Sequence, residues 1–142
     1  MRQQIIVDTG PLVSLLNKRD SCHEWVKEEL ATVKPPLLTC EAVISEACFL
    51  LQRLYNGQEA VISLLNNGTI QIPFHLNEEI ASIKKLLMRY QSVPMSLADA
   101  CIVRMAELML HYMTVEFGNA NSVDHIWGDR DRGYAIFIDI LI

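Results

Sequence analysis

The sequence predicts an α/β fold, a three-layer α/β/α sandwich built around a mostly parallel central sheet. Three observations predict it. Short apolar runs without polar alternation, Ile5-Ile6-Val7 and Leu37-Leu38-Thr39, read as strands covered on both faces. Between and after them lie segments with apolar residues at helical spacing, separated by short turns marked by Pro, Gly and Asn. Finally, 142 residues of which 51% are apolar make one compact core and leave no room for a second. Residues 1–142 are therefore expected to form a single domain, without internal repeats or low-complexity stretches.

The elements follow in order. The first strand ends at Asp8, where Thr9-Gly10-Pro11 breaks it, and Pro11 suits the first turn of a helix carrying Leu12, Val13, Leu15 and Leu16. A second helix is predicted over residues 22–31, with Trp25, Val26 and Leu30 on one face, stopped by Pro35-Pro36. After the second strand comes a strongly apolar helix over residues 41–55, closed by Asn56-Gly57. Residues 59–65 read as helix, 66–68 as a turn, and 69–73 as a short strand. From Asn77 a helix presents Ile80, Ile83, Leu86 and Leu87 inward, with Lys84, Lys85 and Arg89 toward solvent. Ser96 caps a long apolar helix over residues 97–110. Beyond it, residues 114–117 could close a strand, 118–133 read as loop, and 134–142 as a final strand.

Charge and cysteine usage narrow the function. Charged residues make up 20% of the chain and the formal net charge is −5, with no basic block. Non-specific binding to phosphate backbones is therefore not advertised, which counts against a nucleic-acid substrate without excluding one. A local metal site could still supply positive charge. Cys22, Cys40, Cys48 and Cys101 lack C-x-x-C spacing and read as small reduced thiols, and His23, His75, His111 and His125 form no H-x-x-x-H pair. The apolar run at the amino terminus is too short for a signal peptide and no stretch reaches membrane length, so a cytoplasmic location is expected.

Three acids stand in apolar surroundings. Asp8 ends an apolar strand, at the edge where α/β sheets bind ligands. Glu46 has Ala42, Val43, Phe49 and Leu50 at three and four residues on either side, and Asp99 has Met95, Ser96, Ile102 and Val103, so both are expected to face inward. A buried lone carboxylate costs several kcal/mol, roughly, and needs a partner. Because the basic residues fall on polar faces and turns, a divalent cation is the partner that serves all three. Such an ion can polarise a phosphoryl group and activate water. Simpler readings stay open at this point. Asp99 could be the acidic member of a cap begun by Ser96, Glu46 could pair with Arg53, and Asp8 could be a turn former. The glutamates from Glu24 to Glu107 other than Glu46, Glu41 among them, read as solvated or capping residues.

Three segments carry a resemblance. Residues 5–13, Ile-Ile-Val-Asp-Thr-Gly-Pro-Leu-Val, resemble the opening strand and turn of PIN-domain nucleases, particularly VapC-type toxins. Residues 38–47 resemble their second acidic segment, with Glu46 one turn into a helix, and Ser96-Leu97-Ala98-Asp99-Ala100 resembles the third. Order and spacing agree over about the first 110 residues and no further than residue 117. The resemblance implies a Mg2+- or Mn2+-dependent endoribonuclease acting on RNA, usually a homodimer, held inactive by a cognate antitoxin protein. Asp8, Glu46 and Asp99 would be its metal-binding and catalytic acids, and Thr9 would offer its hydroxyl beside them. The family's T-x-D-x-D-F segment is absent. Met113-Thr114-Val115-Glu116-Phe117 comes nearest, so Glu116 is the candidate fourth metal ligand, Asp124 a weaker one, or the fourth acid is missing.

Two other classes compete with this one. Phosphoryl transfer through an aspartyl intermediate would want D-x-D or an acid pair with a Lys, and Thr9-Gly10 after Asp8 fits neither. The alternative is a catalytically weakened PIN-like module acting mainly through protein partners, motivated by the unmatched tail.

Overall fold

The computed structural model describes residues 5–117 and 136–137. Ten elements follow one another: β1 (Ile6–Val7), α1 (Thr9–Leu16), α2 (His23–Ala31), β2 (Leu37–Leu38), α3 (Glu41–Leu51), α4 (Gly57–Asn66), β3 (Ile70–Gln71), α5 (Leu76–Arg89), α6 (Leu97–Phe117) and β4 (Ile136–Phe137). The sheet runs β3-β2-β1-β4. β1, β2 and β3 are parallel, with Ile6 opposite Leu38 and Leu37 opposite Ile70. β4 closes the other edge antiparallel to β1, with Ile6 opposite Phe137 and Val7 opposite Ile136. This is the α/β architecture that the strand and helix pattern predicts.

Burial explains why such short strands hold. Ile5, Ile6 and Val7 are completely covered, as a parallel strand with helices on both sides must be. Leu12, Val43, Ala47, Leu51, Val61, Ile70, Ile83 and Ile102 continue that core across most of the elements. The Thr39 hydroxyl donates to the Val7 carbonyl at 2.8 Å inside that core, which ties the ends of β1 and β2 together just below the Asp8 edge. Among the described residues no helix is long and apolar enough to cross a membrane.

Several expectations are corrected. The helix expected over residues 41–55 ends at Leu51, and Gly57 opens α4 rather than closing α3. Gly57 is required there, because a Cβ would meet the Leu51 carbonyl oxygen. Residues 114–117 close no strand: α6 continues through Phe117, since nothing in the sequence between Leu110 and Phe117 breaks a helix. Glu116 therefore sits on the last turns of a helix. Trp25 and Ile80, expected on inward faces, are 39% and 51% exposed, while Val26 and Ile83 carry the packing. The final strand is seen at Ile136–Phe137; the rest of residues 134–142, the expected loop and Asp124 lie outside the described residues.

Candidate metal centre

Asp8 occupies the carboxyl end of β1 and is the N-cap of α1. Its Oδ1 accepts a hydrogen bond from the Thr9 amide at 2.7 Å, a geometry that an extended residue before a helix provides. The side chain is half-buried. Burial raises its carboxyl above the ordinary acid range, the Thr9 amide works against that rise, and the Asp99 and Glu46 carboxylates, both close by, add to it. Two further acids thus act on Asp8 from elements distant in sequence.

Glu46 reaches the site from the second turn of α3. Thr9, almost fully buried, donates its hydroxyl to Glu46 Oε2 at 2.8 Å across 37 residues of sequence. Asp99 arrives from the first turn of α6, held by reciprocal bonds: its Oδ2 accepts from the Ser96 amide at 2.8 Å, and its own amide donates to Ser96 Oγ at 3.0 Å. This is a capping box with aspartate in the acidic place. The capping and site readings of Asp99 are therefore compatible, because the cap fixes where the carboxylate stands.

The reason given for convergence from sequence needs correction. Glu46 and Asp99 do not face the core; both are exposed, and so are Phe49 and Leu50, at 68% and 57%. Helix α3 is apolar on nearly every side, so apolar neighbours three and four residues away do not identify its inward face. That face is Val43, Ala47 and Leu51. Thr9 also differs from expectation, since its hydroxyl is engaged by Glu46 rather than left open toward a ligand.

The acids nonetheless share one feature. Each has one oxygen pinned, by the Thr9 amide, the Thr9 hydroxyl or the Ser96 amide, and among the described residues its second oxygen accepts no hydrogen bond. No described ion pair involves any of the three. Arg104, five residues beyond Asp99, donates instead to Glu79 at 2.6 Å and Glu107 at 3.1 Å. Unbuttressed negative charge with free, hard oxygen donors suits a divalent cation such as Mg2+, which keeps several waters and takes only one or two carboxylates directly. Among the described residues no three acids, cysteines or histidines already stand within one coordination sphere. The donor chemistry fits; full enclosure by protein ligands is not what such an ion requires.

Beneath the acids lie two thiols that sequence reading did not connect. Cys40, the N-cap of α3, and Cys101, on α6, are both buried and close enough to influence each other's titration. Burial pushes both thiols up, Cys101 to about 12, so they are packing groups. Cys22 and Cys48 are half-buried, and all four cysteines are free.

This strand-end cluster of acids on β1, α3 and α6 can be compared with known proteins. A family model described as PIN domain matches residues 5–109. The chain belongs to the PIN-domain family. The match covers every one of the three acids and stops before Glu116. Among solved structures, this PIN domain is similar to Mycobacterium tuberculosis VapC20, described as a sarcin-ricin loop cleaving toxin. The TM-score is 0.65 at 21% sequence identity, over 73% of this chain and 82% of that one. At that identity the likeness is one of fold, and it agrees with the sheet and helix order above. Comparison with curated proteins found no match.

Proposed function

We infer that this PIN domain is an endoribonuclease that hydrolyses RNA phosphodiester bonds with the help of Mg2+ or Mn2+. We further infer that it acts as the toxin of a toxin-antitoxin module, in the cytoplasm, as a homodimer restrained by a cognate antitoxin. One observation carries the catalytic reading: Asp8, Glu46 and Asp99 gather at the carboxyl edge of the sheet with free oxygens and no neutralising Lys or Arg among the described residues. Family membership and the fold shared with an RNA-cleaving toxin support RNA as substrate. Phe49, Leu50, Met88 and Leu97, all strongly exposed, support burial against protein partners.

A divalent ion bound here would supply Lewis-acid polarisation of the phosphoryl group and a water acidic enough to attack at neutral pH. Asp8 and Asp99 would hold it, and Glu46 would bind it or orient the attacking water. Thr9 fixes the Glu46 carboxylate through its hydroxyl, leaving Oε1 free for that role. Ser96 does the same for Asp99 through its backbone amide. Glu116 as a fourth ligand rests on the sequence resemblance alone.

Asp8→Asn keeps the side chain's shape and its capping oxygen while removing the charge. It is expected to abolish cleavage of an RNA panel in Mg2+ or Mn2+, to the level of wild type with chelator, while the circular dichroism spectrum stays unchanged. Cleavage by the variant equal to that of wild type would refute the reading. A module acting mainly through protein partners is the second reading, favoured by Glu116 lying on α6 rather than at a strand end. It requires that the wild-type protein bind no divalent ion.

A further inference from the structure

Glu41 and Glu46 lie five residues apart on α3, about 7.5 Å along its axis and on different sides of it. Glu46 turns toward Thr9 and the end of β1. Glu41 instead borders a cavity of about 340 Å3 with Phe74, His75, Leu76, Asn77 and Ile80, where β3 runs into α5. Because the sheet order is β3-β2-β1, both features lie on the carboxyl edge of the sheet, the cavity two strands from Asp8. Two inter-strand spacings are about 9.6 Å. A single RNA strand crossing that edge with a phosphate at the acids therefore brings a neighbouring base over the cavity.

The cavity has the composition of a base site. Its apolar lining is Phe74, Leu76 and Ile80; Phe74 is buried, so Ile80, 51% exposed, presents most of the apolar surface to a flat ring. Its polar groups are Glu41, His75 and Asn77, all exposed, and none makes a side-chain hydrogen bond or ion pair to a described residue. The volume is at the small end of the range of about 300–1,000 Å3 usual for ligand pockets. Sequence-specific RNA recognition commonly takes an unstacked base in this way, through its Watson–Crick edge and an apolar or aromatic surface.

We propose that this cavity is a nucleobase subsite in which Glu41 selects guanine. The proposal rests on RNA being the substrate, as inferred above. A carboxylate only accepts hydrogen bonds. Guanine presents two adjacent donors, N1–H and the N2 amino group, and satisfies both carboxylate oxygens. Adenine and cytosine place an acceptor beside their amino group, and uracil flanks its one donor with two carbonyls. Each of these sets a lone pair against Glu41. The Asn77 amide or a His75 ring N–H can donate to guanine O6. A carboxylate here also repels phosphate, so the strand enters base first.

The test uses fluorescein-labelled uridine octamers that carry one central G, A, C or U. Binding is read by anisotropy on Asp8→Asn protein, and cleavage on the wild-type chain with Mg2+ or Mn2+. The G oligomer is expected to bind about tenfold more tightly than the other three, the discrimination of one bidentate contact. Glu41→Gln, which replaces an acceptor by a donor on an exposed side chain, is expected to bring that ratio to about one. Equal affinity for all four oligomers, or a G preference that survives Glu41→Gln, overturns the proposal. If the wild type cleaves all four at one rate and binds them equally, the subsite fails and the nuclease reading stands. If it cleaves none while the Glu41-dependent preference persists, the nuclease reading fails and the subsite stands.

Discussion

Thr9 does more at the centre than its sequence position suggests. Its amide holds Asp8, its hydroxyl holds Glu46, and it is itself only 7% exposed, so one residue couples two carboxylates from different elements. Partners that orient metal ligands typically contribute about 10–100-fold in affinity or activity. Thr9→Val, nearly isosteric, is expected to lower cleavage or raise the Mg2+ concentration required by about that factor, whereas Thr9→Ser retains wild-type behaviour. A Val variant with an unchanged Mg2+ dependence would remove Thr9 from the machinery. At this scale the candidate acids were legible in the sequence, and their surroundings were not. The apolar neighbours of Glu46 and Asp99 point to burial, but both acids are exposed and so are Phe49 and Leu50. What the sequence could not show is the Thr9–Glu46 bond, because it joins residues 37 apart.

Single residues also decide where elements begin and end. The α3–α4 corner shows this: Asn56 adopts a left-handed φ of 54°, and Gly57 then passes so close to the Leu51 carbonyl that a Cβ would stand 2.1 Å from its oxygen. The neighbour is backbone, and relief requires α3 and α4 to move apart. Gly57→Ala is expected to destabilise the fold by about 1–3 kcal/mol, the usual cost of overpacking, read as a lower urea midpoint. An unchanged midpoint would show that the corner yields freely. Asn56-Gly57 was legible as a break, but as the stop of one helix rather than the start of the next, because the two signals share residues. Residues 114–117, expected to close a strand, instead continue α6 from Leu97. This places Glu116, the candidate fourth ligand, on a helix.

At the scale of the molecule, the described residues form a sheet whose carboxyl edge bears the candidate acids, with one core beneath it. Cys40 and Cys101 lie in that core, each affecting the other, with Asp8 near enough to add to the rise in the Cys40 thiol. Raised in the folded state from 9.0 to about 12, the Cys101 thiol keeps its proton while the unfolded chain loses its own. Its contribution to stability is thus complete below pH 9 and is lost as pH rises from 9 toward 12. The urea midpoint is expected to fall over that window, and less steeply in Cys101→Ala; parallel curves for the two proteins would contradict this. The fold class was legible because burial on both faces leaves its mark in runs such as Ile5-Ile6-Val7. The pairing of β4 with β1 was not, since an antiparallel edge strand far along the chain has no local signal of its partner.

The central claim is that Asp8, Glu46 and Asp99 act together on one divalent ion. Calorimetric titration of Mn2+ into the wild type, Asp8→Asn, Glu46→Gln and Asp99→Asn measures it without relying on any RNA. Saturable binding by the wild type is expected, together with weakening in each single variant and loss in the triple variant. Wild-type affinity retained by the triple variant, or no binding by the wild type, would contradict it.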